Sequence, residues 1–168
     1  IFIRVEDKSI VAHGSMPCWS ISPKNEFWYG FPLLREGYVK VANDRLGERV
    51  DPDVDRSLKP EFVDWAMDFL RYRIPVLGNG KVVGGRACLY TNSPDDNFIV
   101  DWAPGMQRIL MAGGGSSHGF KFGAAIGPII ADALEEKPNP LGDQFRIGKR
   151  LNLGLKSRQK ANIPGFAY

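Results

Sequence analysis

The run Gly113-Gly114-Gly115 constrains this chain more than any other feature. It stands between a short apolar stretch, residues 109–112, and an apolar series with helical spacing: Phe120, Ala124, Ile126, Ile129, Ile130 and Leu134. A strand, a bare backbone and a helix must therefore follow one another directly. Glycine tolerates backbone conformations closed to other residues and lets a ligand approach the main chain closely. The first N–H groups of a helix lack intrahelical partners and carry partial positive charge. The segment Met111-Ala-Gly-Gly-Gly-Ser-Ser-His-Gly-Phe-Lys-Phe122 thus suits an anionic or electron-rich ligand. Its glycines do not follow Gly-x-Gly-x-x-Gly, and on spacing alone a tight strand–helix turn is an equally good reading. His118 by itself reads as a hydrogen-bonded structural histidine rather than a catalyst.

Elsewhere the pattern predicts many short strands and one further helix. Residues 1–5 read as a strand already under way, with no initiator Met, so residues preceding Ile1 are expected in the native protein. Residues 10–26 hold Gly14, Pro17 and Pro23 and read as irregular. Residues 26–31 are aromatic-rich and extended, residues 37–42 alternate as a strand, and residues 51–55 form a loop. Phe62, Trp65, Ala66, Phe69 and Leu70 mark one buried helix face, with Ser57 as its cap, Pro60 and Glu61 in its first turn and Pro75 as its stop. A turn at 78–80 leads to a strand over 82–91, and residues 98–101 and 109–112 are two more strands. Residues 138–168 read as a surface-wrapping tail. This is an α+β arrangement.

Composition excludes more than it selects. The 168 residues, 43% hydrophobic and 24% charged, are ordinary for a globular domain with a real core. A net charge of +3, with basic residues spread along the chain, gives no case for nucleic acid, and the densest basic stretch, 149–160, reads as a solvated tail. No apolar run reaches the roughly 18 residues that a membrane span needs. Two cysteines, Cys18 and Cys88, make no disulfide framework, so a reducing, cytoplasmic compartment is expected. No metal site is expected.

Three segments bear on chemistry. Cys88, in Gly85-Arg-Ala-Cys-Leu-Tyr-Thr91, reads by itself as a small buried residue of a strand, although Arg86 on the same face would favour the thiolate. Lys40, in Gly37-Tyr-Val-Lys-Val41, reads as a solvent-facing lysine unless it points into a pocket, where its charge would act on an anionic intermediate. The combination changes both readings. Tyr29-Gly-Phe-Pro32, Gly37-Tyr-Val-Lys40-Val, Asp51-Pro-Asp53, Ala-Cys88-Leu-Tyr-Thr91 with Asp95 and Phe98-Ile-Val-Asp101, and Ser116-x-His118-Gly-Phe-Lys121-Phe occur in that order. From about Phe27 to Leu134 the chain resembles the monomeric sarcosine oxidase family of flavoproteins, which includes N-methyl amino acid, pipecolate and fructosyl amino acid oxidases.

The resemblance implies the C-terminal part of a two-domain FAD-dependent oxidoreductase. Residues 1–105 would be mostly substrate domain, built on an antiparallel or mixed sheet. Residues 106–136 would supply a strand, Gly-rich loop and helix facing the flavin, residues 137–168 a tail, and the dinucleotide-binding segment would be missing from the N-terminal side. Cys88 matches the cysteine that carries FAD as a thioether. Gly115, Ser116, Ser117, His118, Gly119, Phe120 and Lys121 match the flavin-contacting loop, whose helix dipole would stabilise charge gained on reduction. Lys121 also matches a lysine that pairs with a substrate carboxylate. Lys40 matches a lysine that promotes reaction with oxygen. Tyr29 and Tyr90 match aromatics of the substrate pocket.

The implied reaction oxidises a secondary amine or N-substituted amino acid to an imine, which is hydrolysed, with molecular oxygen leaving as hydrogen peroxide. A flavin dehydrogenase using another electron acceptor and an inactive module of the same fold are the alternatives. Two positions depart from the family. Ser117 replaces the glycine of Ser-Gly-His-Gly, a strained choice if that position needs a positive φ. Asp44 replaces a histidine four residues after the strand lysine, which puts sarcosine in doubt as substrate.

Overall fold

The computed structural model describes residues 1–148 apart from 24, 25, 46, 48 and 107. The basic stretch at 149–160 and the rest of the expected tail beyond it lie outside the described residues. The chain divides into two compact units, Ile1–Cys88 and one that begins at Leu89. No helix among the described residues is long and apolar enough to cross a membrane.

The first unit is an antiparallel sheet backed by a helix. Its strands are β1 (Phe2–Arg4), β2 (Trp19–Ile21), β3 (Trp28–Phe31), β4 (Val39–Asn43) and β5 (Lys81–Gly84), in the order β2-β3-β4-β1-β5. Successive side chains on a strand point to opposite faces. Ile3, Trp28, Val39 and Val41 are fully buried on one face, while Tyr29, Phe31 and Lys40 occupy the other. The β3–β4 hairpin closes through Leu34, whose carbonyl accepts the Gly37 amide at 2.9 Å, and Gly37 takes the positive φ of 81° that the turn requires.

Helix α1 (Pro60–Arg73) covers the buried face with Ala66, Met67 and Leu70. Trp28 stacks on Phe69 with centroids 4.3 Å apart and planes 9° apart, and Trp65 lies 4.5 Å away on a tilt of 52°. The Trp28 indole N–H donates to Glu26 Oε2 at 2.7 Å, so its polar atom is satisfied. Across β2–β3, Trp19 pairs with Gly30, and a Cβ on Gly30 would fall inside the indole ring. The missing side chain is what lets Trp19 lie flat on the sheet. A short helix, α2 (Pro75–Gly78), follows α1 and leads to β5.

Three expectations are corrected here. Residues 10–26 are not wholly irregular, because β2 forms between Pro17 and Pro23 as an edge strand paired only with β3. Ser57 does not cap α1. Its amide and hydroxyl both donate to Asp55 Oδ1, at 3.0 and 2.9 Å, and the cap position falls at Lys59 with no side-chain cap, Pro60 then opening the first turn as expected. The strand expected over 82–91 stops at Gly84. Beyond it Gly85 packs so tightly against Leu58 that a Cβ would collide with that side chain, and the Ala87 amide turns to the Arg56 carbonyl at 2.9 Å instead of continuing the sheet ladder.

The second unit contains the hairpin β6 (Ile99–Trp102) and β7 (Leu110–Gly113), then a 3-10 turn at Gly119–Phe122 and helix α3 (Gly123–Leu134). Its core is Val100, Ile129 and Phe145, flanked by Phe98, Leu110, Ile126, Ile130 and Ala133. The expected succession of strand, glycines and helix is therefore present, although Phe120 belongs to the 3-10 turn and is fully exposed rather than part of the helix face. Phe145, within the expected tail, is a core residue.

Candidate functional site

On the first unit the exposed face of the sheet carries the chemistry-bearing residues. Cross-strand pairing places Phe31 of β3 opposite Lys40 of β4, and Lys40 opposite Phe2 of β1. Tyr29 stands opposite Ala42, one step along the same face. The Lys40 Nζ lies 5.5 Å from the Phe31 ring centroid and 6.0 Å from that of Tyr29, within cation–π reach. The two rings meet edge to face at 6.0 Å, and Phe27 continues the row 6.2 Å from Tyr29. Burial raises the pKa of the Tyr29 phenol, and the negative charges of Cys88 and Asp44 add to the effect. Tyr29, Lys40, Asp44 and Cys88 are thus electrically or physically linked within this unit. The Cys88 thiol is free and exposed.

Cys88 is not a strand residue, so the same-face relation expected for Arg86 does not arise. Arg86 instead lines a surface cleft of about 380 Å³ with Val54, Asp55, Arg56, Ser57 and Gly85. The row Phe27, Phe31 and Phe2 was not foreseen as part of the site. The signal was available, since residues 27, 29 and 31 share one face of an extended segment.

In the second unit the loop between β7 and the 3-10 turn is tightly wound. Gly114, Ser116 and Ser117 have φ of 70°, 44° and 69°. Two non-glycine residues in succession occupy the left-handed region, the strained conformation anticipated for Ser117. Ser116 is buried and fixed on three sides: its amide donates to the Thr91 carbonyl (3.1 Å), its hydroxyl to the Gly114 carbonyl (3.1 Å), and its oxygen accepts the Ser93 amide (3.2 Å). Ser93 in turn donates from its hydroxyl to the Asn97 carbonyl at 2.5 Å.

His118 is held rather than poised. Its Nε2 lies 3.0 Å from the Asp96 carbonyl, and because a carbonyl only accepts, Nε2 carries the hydrogen. Phe98 and Phe122 flank the ring edge to face. Lys121 is exposed, its Nζ 5.2 Å from the Phe122 ring centroid, and Tyr90 is half-buried.

Bare backbone marks where a planar ring can approach. A Cβ at Gly113 or Gly123 would meet nothing within 4 Å, and one at Gly115 would meet only Gly119 backbone, at 3.5 Å. No side chain caps the 3-10 turn or α3. An unobstructed glycine loop fits the edge of a flavin ring, and an exposed thiol fits a covalent tether.

The model of the FAD dependent oxidoreductase family matches residues 3–133. The chain belongs to this family. Among this oxidoreductase's relatives, the monomeric sarcosine oxidase of Bacillus sp. (strain NS-129) is 29% identical over 136 residues, 77% of this chain and 34% of the relative. The N-methyl-L-tryptophan oxidase of Yersinia pestis (strain Pestoides F) is 36% identical over 122 residues, 71% of this chain and 32% of the relative. The chain thus spans about a third of the length of these relatives. Its fold is similar to part of the fructosyl amine:oxygen oxidoreductase Amadoriase I of Aspergillus fumigatus, with a TM-score of 0.69 at 23% identity over 86% of this chain and 36% of that one. Amadoriase II from the same organism gives 0.72 at 18% identity, covering 87% and 37%.

Proposed function

We propose that this FAD-dependent oxidoreductase chain is part of an oxidase of a secondary amine or N-substituted amino acid, with Cys88 as the covalent anchor of the flavin. The observation that carries the reading is the exposed sheet face of the first unit, where Tyr29 is influenced by Cys88 and Asp44 and lies beside the Lys40 ammonium. The relatives support the substrate class, being oxidases of sarcosine and N-methyl-L-tryptophan by name.

When bound, FAD would supply the redox chemistry, by which the CH–NH unit of the amine loses two electrons and two protons and dioxygen takes up two of each to become hydrogen peroxide. The chain's residues position and polarise. Cys88 holds the ring as a thioether. The segment Gly115, Ser116, Ser117, His118, Gly119, Phe120 and Lys121 would line it, with Ser116 and His118, whose amides donate to the Thr91 and Gly115 carbonyls, serving by fixing the loop. Within the first unit Tyr29 and Asp44 would meet the amine; within the second, Tyr90 is assigned to the substrate and Lys121 to its carboxylate. Lys40 keeps a positive charge where negative charge gathers on oxygen. In this reading residues 1–105 are mostly the substrate-side portion, and the strand, loop and helix of residues 106–136 face the flavin. The nucleotide half of FAD is held by a segment of the complete protein outside these residues. A chain with two cysteines, one of them the flavin anchor, fits a reducing, cytoplasmic compartment.

The test is a mass spectrum of the Cys88 peptide from the complete protein, expected to carry an added flavin mass, with colour retained through acid precipitation. Release of all flavin on denaturation overturns the thioether. A panel of N-methyl amino acids, pipecolate and fructosyl amino acids, read by peroxide production, tests the activity. Turnover only with an added electron carrier would replace the oxidase by a dehydrogenase.

A further inference from the structure

We propose that Phe31, with Tyr29, is a positioning residue that holds the Lys40 ammonium in place without cancelling its charge. The inference rests on the reading of Lys40 as the oxygen-side cation and adds how that cation is kept usable. A lysine on an exposed sheet face is ordinarily steadied by a carboxylate. That partner fixes the side chain but also neutralises it, so little field is left for a third group. Among the described residues Lys40 takes part in no ion pair; its close partners are the rings of Phe31, at 5.5 Å, and Tyr29, at 6.0 Å. An aromatic face attracts a cation through its quadrupole and carries no net charge. The ammonium is therefore localised while its full positive charge remains.

The geometry is built into the sheet. Phe31 and Lys40 are direct cross-strand partners, so their side chains share a face at the shortest inter-strand spacing. Tyr29 stands two residues along β3 and meets Phe31 edge to face, with planes 87° apart, so the two rings form a corner. Beneath them Trp28 and Gly30 are locked into the core, which keeps β3 from shifting under the lysine. In the oxygen step dioxygen takes up two electrons and two protons and leaves as hydrogen peroxide. The chain's contribution is a fixed cation where negative charge first gathers, and the corner of rings determines where that cation sits.

The experiment uses the complete flavin-loaded protein and the variants Phe31→Leu, Phe31→Tyr, Phe31→Glu and Lys40→Met. The amine half-reaction is measured under anaerobic conditions, and the oxygen half-reaction by mixing reduced protein with dioxygen. Phe31→Leu is expected to slow the oxygen half-reaction roughly two- to fivefold, the effect of one partly exposed cation–π contact, and the amine half-reaction by less. Phe31→Tyr retains the parent rate. Phe31→Glu, which brings a carboxylate to the lysine, is slower than Phe31→Leu. A readout independent of activity is the NMR signal of the Lys40 ε-methylene in protein with labelled lysine, assigned through Lys40→Met. It lies upfield of the lysines that face no ring and moves back in Phe31→Leu. If Lys40→Met leaves the oxygen half-reaction intact, the oxygen-side reading of Lys40 fails. If Lys40→Met slows it but Phe31→Leu does not, or slows both half-reactions alike, or leaves the Lys40 signal unshifted, the role of Phe31 fails.

Discussion

Ser117 follows Ser116 with both residues in the left-handed backbone region, at φ 69° and 44°. A side chain there opposes the turn by about 1–2 kcal/mol per residue, and glycine does not. Ser117→Gly is therefore expected to raise stability by up to about 1 kcal/mol after the added freedom of the unfolded chain is counted. Ser117→Val should lower it. Urea denaturation of the two variants checks the sign, and a Ser117→Gly protein no more stable than the parent would mean that the hydroxyl stabilises the turn as much as the Cβ strains it.

Ser116 is the opposite case, a left-handed residue whose side chain is needed. Its oxygen accepts the buried Ser93 amide at 3.2 Å. Ser116→Ala leaves that donor unpaired, at a cost of about 1–3 kcal/mol. Hydrogen exchange at the Ser93 amide should accelerate in the variant, which ties the loss to this contact.

The stack of Trp28 on Phe69 at 4.3 Å carries much of the first unit's core. Trp28→Ala is expected to cost about 3–5 kcal/mol and Trp28→Phe distinctly less, measured by urea denaturation. A loss below 1 kcal/mol would place the core elsewhere.

Alkaline stability should depend on Tyr29. Burial first, then the Cys88 and Asp44 charges, raise its pKa above the usual tyrosine value. The folded state therefore keeps the phenolic proton more firmly than the unfolded state. Its stabilising contribution is complete below the ordinary tyrosine pKa of about 10 and is lost as pH rises through the higher folded value. Ultraviolet titration should show a delayed phase that Tyr29→Phe abolishes, with a shallower fall of stability at high pH in that variant.

Because the Cys88 thiol is exposed, Cys88→Ser should change stability by less than about 0.5 kcal/mol. Flavin attachment can then be examined apart from folding. The variant is expected to release its flavin on acid precipitation while its urea midpoint stays near that of the parent.

The parts of the molecule legible in the sequence are those where burial imposes a period. Phe62, Trp65, Ala66, Phe69 and Leu70 could only be a helix face, and Val39 and Val41 around Lys40 only a half-buried strand. Strand β2 escaped because three residues between prolines form at an edge through their partner's pairing, not through their own pattern. Residues 85–91 read as a continuation of the strand that opens before them. The decision was made by tertiary contacts, Gly85 against Leu58 and Ala87 to Arg56, that no local pattern encodes. At the candidate site Tyr29 and Lys40 were readable as motif residues. Their partnership with Phe31 depends on strand register, which emerges only when β3 and β4 are paired.

That register also governs how the chain can vary in length. Trp19 lies in the place of a side chain that Gly30 lacks, and Trp28 is pinned by Phe69, so β3 has one seat in the sheet. A single residue inserted or deleted within β3 would turn Tyr29 toward the core and Trp28 outward, and one within β4 would do the same to Lys40 and its flanking valines. Related chains should accommodate length changes in the exposed loop at 51–57, where the backbone is held by local Asp turns, and keep the β3–β4 hairpin at constant length.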